Sequence, residues 1–189
     1  MNFFDVPFPE PAPEPVVDRP AWSGPPPGVL PGYSPQRAVL FRTEDALLVV
    51  HRFLAYPNGV EFTLTLLLRD AYEWGDFPWD LRRRPRGDSL PDEFLRFGIL
   101  LSDGSKWTNL DRPFPSPDEE PSGPVVIGRG GGGGGDSWEM GQWMWPLPPE
   151  GTMTFVGSWP VRDISEQRAE VDATEIRHRA DEGETIWET

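Results

Sequence analysis

The chain has 189 residues, no cysteine and a formal net charge of -14, with 24 prolines and 20 glycines. The lack of cysteine excludes disulfides and thiolate metal sites, and the negative charge argues against nucleic acid and anionic membranes as partners. No apolar stretch approaches the roughly 18 residues of a membrane helix, and the first residues lack the regions of a usual signal peptide. We therefore expect a cytoplasmic protein.

Residues 1–32 are predicted to form a disordered, proline-rich leader. Prolines alternate with other residues from Pro7 to Pro15, and three more stand together at 25–27. Proline fixes φ and lacks an N–H donor, so neither helix nor sheet propagates here and extended polyproline II geometry is expected. The aromatic residues of the leader would attach it loosely to its own domain or to a partner.

The domain opens with two apolar stretches at 37–43 and 46–55, followed by a turn signal. An Asn-Gly pair at 58–59 between apolar stretches predicts a hairpin, because both residue types tolerate positive φ. From Val60 to Leu68 apolar and polar residues alternate, which is typical of a sheet covered on one face.

Between residues 70 and 93 the strand periodicity is lost and a basic run appears. Four arginines in five residues would dock an acidic partner or pair with the chain's own carboxylates, although a solvated loop is the simpler interpretation. The candidate partner-docking residues are Arg82, Arg83, Arg84 and Arg86.

Strand patterns return at 95–101 and 105–110, joined by an Asp-Gly turn at 103–104, and two tryptophan-bearing strands follow the glycine run. Asp172 and Glu175 have the spacing of a capping box and predict a short helix that ends near residue 181. No helix-length pattern separates the main strands, so a parallel sheet is not expected. We predict an all-β, antiparallel, immunoglobulin-like sandwich over 33–172, with a C-terminal helix and tail at 173–189.

Six consecutive glycines occupy residues 130–135. They do not form a phosphate loop, because Asp136 and a strand follow where such a loop has Lys, then Ser or Thr, and a helix. Two interpretations remain: a mobile loop, because ordered glycines lose much entropy, or a bare backbone packed beneath aromatic rings. We favour the loop.

Nine tryptophans and several carboxylates offer a binding surface. A row of tryptophans on a sheet would stack on sugar rings, although core packing is the simpler interpretation. Paired carboxylates would bind calcium or act as an acid and base on a sugar. The candidate ligand- or partner-binding residues are Trp107, Trp138, Trp143, Trp145, Asp136 and Glu139.

Histidine is scarce, with only His51 and His178. We interpret His51 as a satisfied structural residue, since no further ligand stands at a spacing typical of zinc sites. No nucleophile elbow is present. The sequence thus predicts no catalytic residue, no metal and no cofactor.

Several motifs from Phe97 to Trp159 resemble those of a group of uncharacterised proteins from high-GC actinobacteria. They include the polyglycine run and the segment from Trp143 to Pro149, which reads WMWPLPP. The resemblance implies a source and assigns no activity or catalytic residue.

These observations favour a non-enzymatic protein-binding or assembly module with an unknown protein partner. The alternative is a carbohydrate-binding module or a carboxylate-dependent glycoside hydrolase. A structural subunit of a coat or phage-derived assembly is a third hypothesis.

Overall fold

The structure is a computed structural model that describes residues 19–72, 90–110, 116 and 119–187, with 71 and 72 described in their backbone alone. Two 3-10 turns lie at Ala21–Ser23 and Pro160–Arg162. The remaining elements are β1 (Val29–Leu30), β2 (Gly32–Ser34), β3 (Ala38–Arg42), β4 (Ala46–Tyr56), β5 (Gly59–Tyr72), β6 (Arg96–Leu100), β7 (Lys106–Thr108), β8 (Val125–Trp145), β9 (Thr152–Trp159), β10 (Ile164–Asp172), α1 (Ala173–Asp181) and β11 (Glu184–Thr185).

The strands form two main antiparallel sheets and a two-stranded ribbon of β1 with β11. One sheet has the order β2-β4-β5-β8, with β3 also paired to β4, and the other has the order β10-β9-β6-β7. The predicted all-β, antiparallel sandwich with a short C-terminal helix is confirmed. The hairpin of β4 and β5 stays within the first sheet.

The core lies between the two sheets. Phe155 of the second sheet has its ring 6.1 Å from that of Phe53 and 5.6 Å from that of Phe62, both on the first sheet. All three side chains are fully buried. Each contributes about 1.5–3 kcal/mol of hydrophobic stabilisation by leaving water, so the facing aromatic residues hold the two layers together.

The hairpin predicted at 58–59 is confirmed, but glycine is needed there for a different reason. β4 ends at Tyr56 and pairs directly with Gly59, and neither loop residue nor Gly59 has positive φ. A Cβ on Gly59 would lie 2.5 Å from the carbonyl oxygen of Met144 and 2.6 Å from the Trp143 ring. The absent side chain therefore makes room for a tryptophan of the neighbouring strand.

The second part of the predicted leader is packed onto the domain. Trp22 is buried, and its carbonyl oxygen accepts a hydrogen bond from Trp143 Nε1 at 2.9 Å. Asn58 Nδ2 donates to the carbonyl oxygen of Ala21 at 2.7 Å. Disorder over all of 1–32 is therefore wrong for residues 19–32, because these contacts fix that segment. Residues 1–18 lie outside the described residues.

The predicted C-terminal helix is confirmed, with Asp172 as its N-cap accepting from the Thr174 amide at 2.8 Å. Glu175 does not complete the capping box. Its carboxylate instead accepts hydrogen bonds from Ser34 and from Arg179 Nε, which attaches the helix to β2. Burial alone would raise the pKa of Glu175, but these bonds outweigh it and hold the pKa below its usual value. No helix among the described residues is long and apolar enough to cross a membrane.

Candidate functional site

The glycine run is part of β8, and β8 reverses direction within it. A Cβ on Gly131 would lie 2.5 Å from the carbonyl oxygen of Glu139, and a Cβ on Gly141 would lie 3.5 Å from Arg129 Cβ. The facing residues are placed symmetrically on either side of Gly135, as in an antiparallel hairpin. Gly135 itself has a φ of +66°. We name residues 128–134 the glycine arm and residues 137–145 the tryptophan arm.

The glycine arm lies at the edge of its sheet. The tryptophan arm pairs with β5, from Leu67 opposite Ser137 to Val60 opposite Met144. β8 is the last strand of this sheet in the described part of the chain, and residues 128–137 are all exposed. An edge strand presents N–H and C=O groups without partners to any chain that approaches. Here that edge also has almost no side chains.

Both interpretations of the glycine run therefore need correction. The run is neither a loop nor a backbone packed beneath tryptophan rings, because residues 130–135 belong to β8. Glycine is required at Gly131 and Gly133, where a Cβ would collide with the carbonyls of Glu139 and Ser137. The missing side chains allow two backbones to approach closely, and close approach keeps the run in the sheet.

A polar network joins the tryptophan arm to the sheet; its members, here called the polar anchor, are His51, Arg52, Thr65 and Glu139. Thr65 Oγ1 lies 2.7 Å from His51 Nε2 and donates to Glu139 Oε1 at 3.3 Å. Arg52 NH1 lies 3.3 Å from Glu139 Oε2. Because Glu139 also faces Gly131, the network fixes the strand on which the glycine arm rests.

Arg52 reaches Glu139 through an unusual backbone conformation. Its φ is +56°, and the pairing register of β4 with β5 shifts between His51 and Leu54. A bulge of this kind redirects side chains, and a non-glycine residue at positive φ costs about 1–3 kcal/mol unless its surroundings impose it. The sequence gives no signal for this bulge beyond two polar residues inside an apolar strand.

The electrostatics of the polar anchor disfavour the charged form of His51. Burial and the nearby Arg52 charge lower its pKa below 6.5, and together they outweigh the opposing effect of Glu139. A neutral imidazole with its proton on Nε2 donates a hydrogen bond to Thr65 Oγ1. The Thr65 hydroxyl group in turn donates a hydrogen bond to Glu139. The prediction that His51 is a satisfied structural residue is consistent with this bonding.

The polar anchor is not arranged for catalysis. Thr65 is 7% exposed, and its hydroxyl group is bonded on both sides. A nucleophile must contact its substrate, and burial keeps this hydroxyl group away from one. Within the described residues no group of three or more potential ligands could hold a metal ion.

Trp143 is a core residue rather than a ligand-stacking residue. Its side chain is fully buried, and its ring makes an edge-on contact with Tyr56 at 5.8 Å between centroids. Its Nε1 donates a hydrogen bond to the carbonyl oxygen of Trp22, in the 3-10 turn Ala21–Ser23. A ring without exposed surface cannot stack on a sugar. Trp143 therefore does not belong to a sugar-binding surface.

The other predicted tryptophans do not form a row. Trp107 lies in β7 of the second sheet, with its ring 6.4 Å from that of Phe97, whereas Trp138 and Trp145 lie in β8 of the first. All three are partly buried, and Trp107 and Trp138 pack against the core. Sugar-binding sheets need several rings exposed on one face, and this arrangement does not supply them.

The two predicted carboxylates are not brought together. Asp136 lies beside the reversal at Gly135, whereas Glu139 lies within the tryptophan arm. Asp136 is exposed near the reversal, and Glu139 is paired with Arg52 and Thr65. An acid and base that act on one glycosidic bond must face the same substrate. The four candidate arginines at 82, 83, 84 and 86 lie outside the described residues.

Comparison of the chain with protein-family models, curated proteins and solved structures gives no match. The resemblance to actinobacterial proteins stays a prediction.

Proposed function

We propose that the protein is a non-enzymatic protein-binding module that receives an extended segment of a partner at the glycine arm. The observation that carries this proposal is an exposed sheet edge, residues 128–137, that contains seven glycines. Strand addition to such an edge is a recurring mode of protein recognition.

The chemistry of binding would come mainly from the backbone. Each main-chain hydrogen bond contributes about 0.5–1.5 kcal/mol net, so several together give useful affinity. Apart from Arg129, the glycine arm offers no side chains that would collide with those of the partner. Selectivity would then depend on the charged residues beside the edge, which are Arg129 at one end and Asp136 near the reversal.

The net charge indicates what kind of segment would bind. At -14 the protein attracts cationic chains and repels acidic ones over a distance of about 8 Å at physiological salt. We therefore propose a partner segment that is extended and rich in Lys or Arg. Its association rate would fall as salt rises, because charge complementarity acts mostly on encounter.

The carbohydrate-binding and glycoside hydrolase alternative has less support. It needs exposed rings on one face or two carboxylates that face one substrate. Trp143 is buried, and Glu139 is paired with Arg52 and Thr65 whereas Asp136 is exposed near the reversal. These observations favour protein binding.

Gly132 gives a direct test of the edge. A Cβ on Gly131 or Gly133 would collide with the tryptophan arm, whereas no atom lies within 4 Å of a Cβ on Gly132. Gly132→Val would thus keep the fold and obstruct an added strand. Gly123→Val is the matched control, because Gly123 also has open space and its φ is not left-handed.

The full-length protein and both variants would be immobilised and exposed to an extract of the organism that encodes the chain. Captured proteins would be quantified by mass spectrometry at low and high salt. We expect the wild type and Gly123→Val to capture a basic protein, and Gly132→Val not to capture it. Capture that is indifferent to Gly132→Val would overturn the proposed site.

A further inference from the structure

We infer that the cationic partner segment continues beyond the glycine arm to an exposed aromatic patch, where one of its Lys or Arg side chains stacks on Trp187. The inference rests on the proposed function and deepens it. It adds a second contact for the same segment and a residue that selects its chemistry.

The patch lies on the ribbon of β1 and β11. Leu30 pairs opposite Glu184, and the Ile186 amide donates to the carbonyl oxygen of Gly28 at 2.7 Å. Opposite residues of an antiparallel pair share a face, as do alternate residues along a strand, so Leu30 and Ile186 lie on one face of the ribbon. Both are exposed, and Trp187 beside them is 72% exposed. We name Leu30, Ile186 and Trp187 the ribbon patch; exposed apolar residues grouped in this way are typical of interaction sites.

The Trp187 ring rests against a position that has no side chain. A Cβ on Gly28 would lie 3.2 Å from Cε3 of the ring and 3.9 Å from the Trp187 backbone nitrogen. The ring thus contacts the main chain of Gly28, while most of its surface faces solvent. An indole with a free surface attracts a guanidinium or ammonium group by cation–π interaction. The chain contains one such pair within itself, since the guanidinium carbon of Arg162 lies 4.9 Å from the centre of the Trp159 ring.

Carboxylates beside the ribbon patch favour a cationic occupant. Glu184 is opposite Leu30, and Asp181 ends α1 three residues earlier; both are exposed. Arg179, the nearest arginine in the sequence, forms ion pairs with Glu175 and Glu182. The negative charges at 181 and 184 would therefore attract a Lys or Arg side chain and repel an acidic one.

The segment from Gly24 to Gly28 connects the glycine arm to the ribbon patch. A Cβ on Gly24 would lie 3.4 Å from a guanidinium nitrogen of Arg129, and Gly28 contacts Trp187. Four residues separate the two glycines, and four residues span at most about 14 Å. With the contacts at either end, a segment that leaves the arm at Arg129 reaches Trp187 within about seven residues, at roughly 3.3 Å per residue.

The direction of pairing decides which end of the partner meets the patch. Antiparallel pairing is the more stable arrangement, and an antiparallel partner runs from the reversal towards Arg129. It therefore leaves the arm with its C-terminal end. Glu61 lies close to Arg129, because a Cβ on Gly141 would be 3.5 Å from Arg129 Cβ and 3.8 Å from Glu61 Oε1. This carboxylate offsets the arginine charge at the place where a cationic segment passes.

Three fluorescein-labelled peptides test the inference on the full-length protein. The short peptide is Lys-Val repeated four times, an extended cationic strand. The long peptide adds seven Gly and Ser residues and Arg-Leu-Arg at its C-terminal end, and the third carries the same addition at its N-terminal end. Fluorescence anisotropy gives the Kd of each peptide for the wild type, Trp187→Ala and Val161→Ala. Val161→Ala is the matched control, because Val161 is another exposed apolar residue and lies outside the ribbon.

We expect the C-terminal addition to tighten binding to the wild type roughly tenfold, since the tethered arginine stacks on Trp187. Trp187→Ala should remove this gain and leave the Kd of the short peptide unchanged, whereas Val161→Ala should keep the gain. The N-terminal addition should bring a much smaller gain, because it leaves the arm at the reversal.

No gain from the C-terminal addition, or a gain that Trp187→Ala retains, would overturn the inference. An equal gain from the N-terminal addition would also overturn it. Gly132→Val separates the two proposals. A short peptide that requires Gly132, without any gain from the addition, would retain the proposed function and reject the ribbon patch. A long peptide that requires Trp187 and tolerates Gly132→Val would reject the glycine edge, and failure of all three peptides to bind would overturn both proposals.

Discussion

The two arms of β8 are neighbours in one sheet and differ completely in how they are held. In the tryptophan arm Gln142, Trp143 and Met144 are buried, with at most 4% exposed. In the glycine arm every residue is exposed. Side-chain burial therefore stabilises one arm, and backbone contact with that arm stabilises the other. The comparison shows that an edge strand can stay exposed to solvent when the buried side chains of the neighbouring strand stabilise the sheet.

The polar anchor connects the arms. Glu139 faces Gly131 through its backbone, and its carboxylate is held by Arg52 and Thr65. Substitutions in the tryptophan arm should therefore lower the free energy of unfolding of the whole domain. Substitutions in the glycine arm should have an effect only where the added side chain collides with the tryptophan arm. Four expected outcomes test this difference, from the largest effect to the smallest.

Trp143→Ala should have the largest effect. It removes a fully buried ring and its hydrogen bond to Trp22, and we expect a loss of about 3–5 kcal/mol in the free energy of unfolding. Urea denaturation measures this change in the free energy of unfolding. Trp187→Ala is the control: its side chain is 72% exposed, so the change should stay within about 0.5 kcal/mol. Equal effects at the two positions would show that the tryptophan arm does not carry the packing.

Gly131→Ala should destabilise the glycine arm by about 1–3 kcal/mol, because its Cβ would lie 2.5 Å from the Glu139 carbonyl oxygen. Gly132→Ala, with open space, should change stability by less than about 1 kcal/mol and in the stabilising direction. Urea denaturation with hydrogen exchange of the arm measures both. If the two variants behave alike, the close approach of the arms is wrong.

Thr65→Val should cost about 1 kcal/mol, because it removes the hydroxyl group that joins His51 to Glu139. Thr63→Val is the control on the same face of β5, two residues away. Differential scanning calorimetry of both variants gives the comparison. A larger loss with Thr63→Val would argue against a stabilising role for the polar anchor.

Acidification should weaken the fold through His51. Since its folded-state pKa lies below 6.5, the unfolded chain binds more protons in this range. The contribution is complete above pH 6.5 and is lost as pH falls towards the folded-state pKa. We expect the melting temperature to decline from pH 7.5 to 5.5, and His51→Gln to flatten that slope.

The lowered pKa values of Asp45, Asp103 and Glu175 act at lower pH, because their ordinary values are 3.8, 3.8 and 4.5. These carboxyl groups therefore do not titrate in the pH range in which His51 affects stability. An unchanged slope in His51→Gln would assign the pH dependence to another group.

Much of the fold could be predicted from local pattern. Period-two alternation identified β5, the turn signal at 58–59 identified its hairpin, and Asp172 marked the start of α1, because each of these rules acts within a few residues. The candidate site was harder to predict. Trp143 is buried by a segment about 120 residues earlier in the chain, and no local pattern reports such a contact.

The sequence by itself determined the strands, the helix cap, the absence of thiol chemistry and the position of the glycine run. Tertiary structure alone decided that this run becomes an exposed sheet edge, that Arg52 adopts positive φ to reach Glu139, and that Trp143 belongs to the core. The physical reason is that six glycines have no side-chain periodicity. Their conformation follows from the backbone beside them, which only the folded sheet provides.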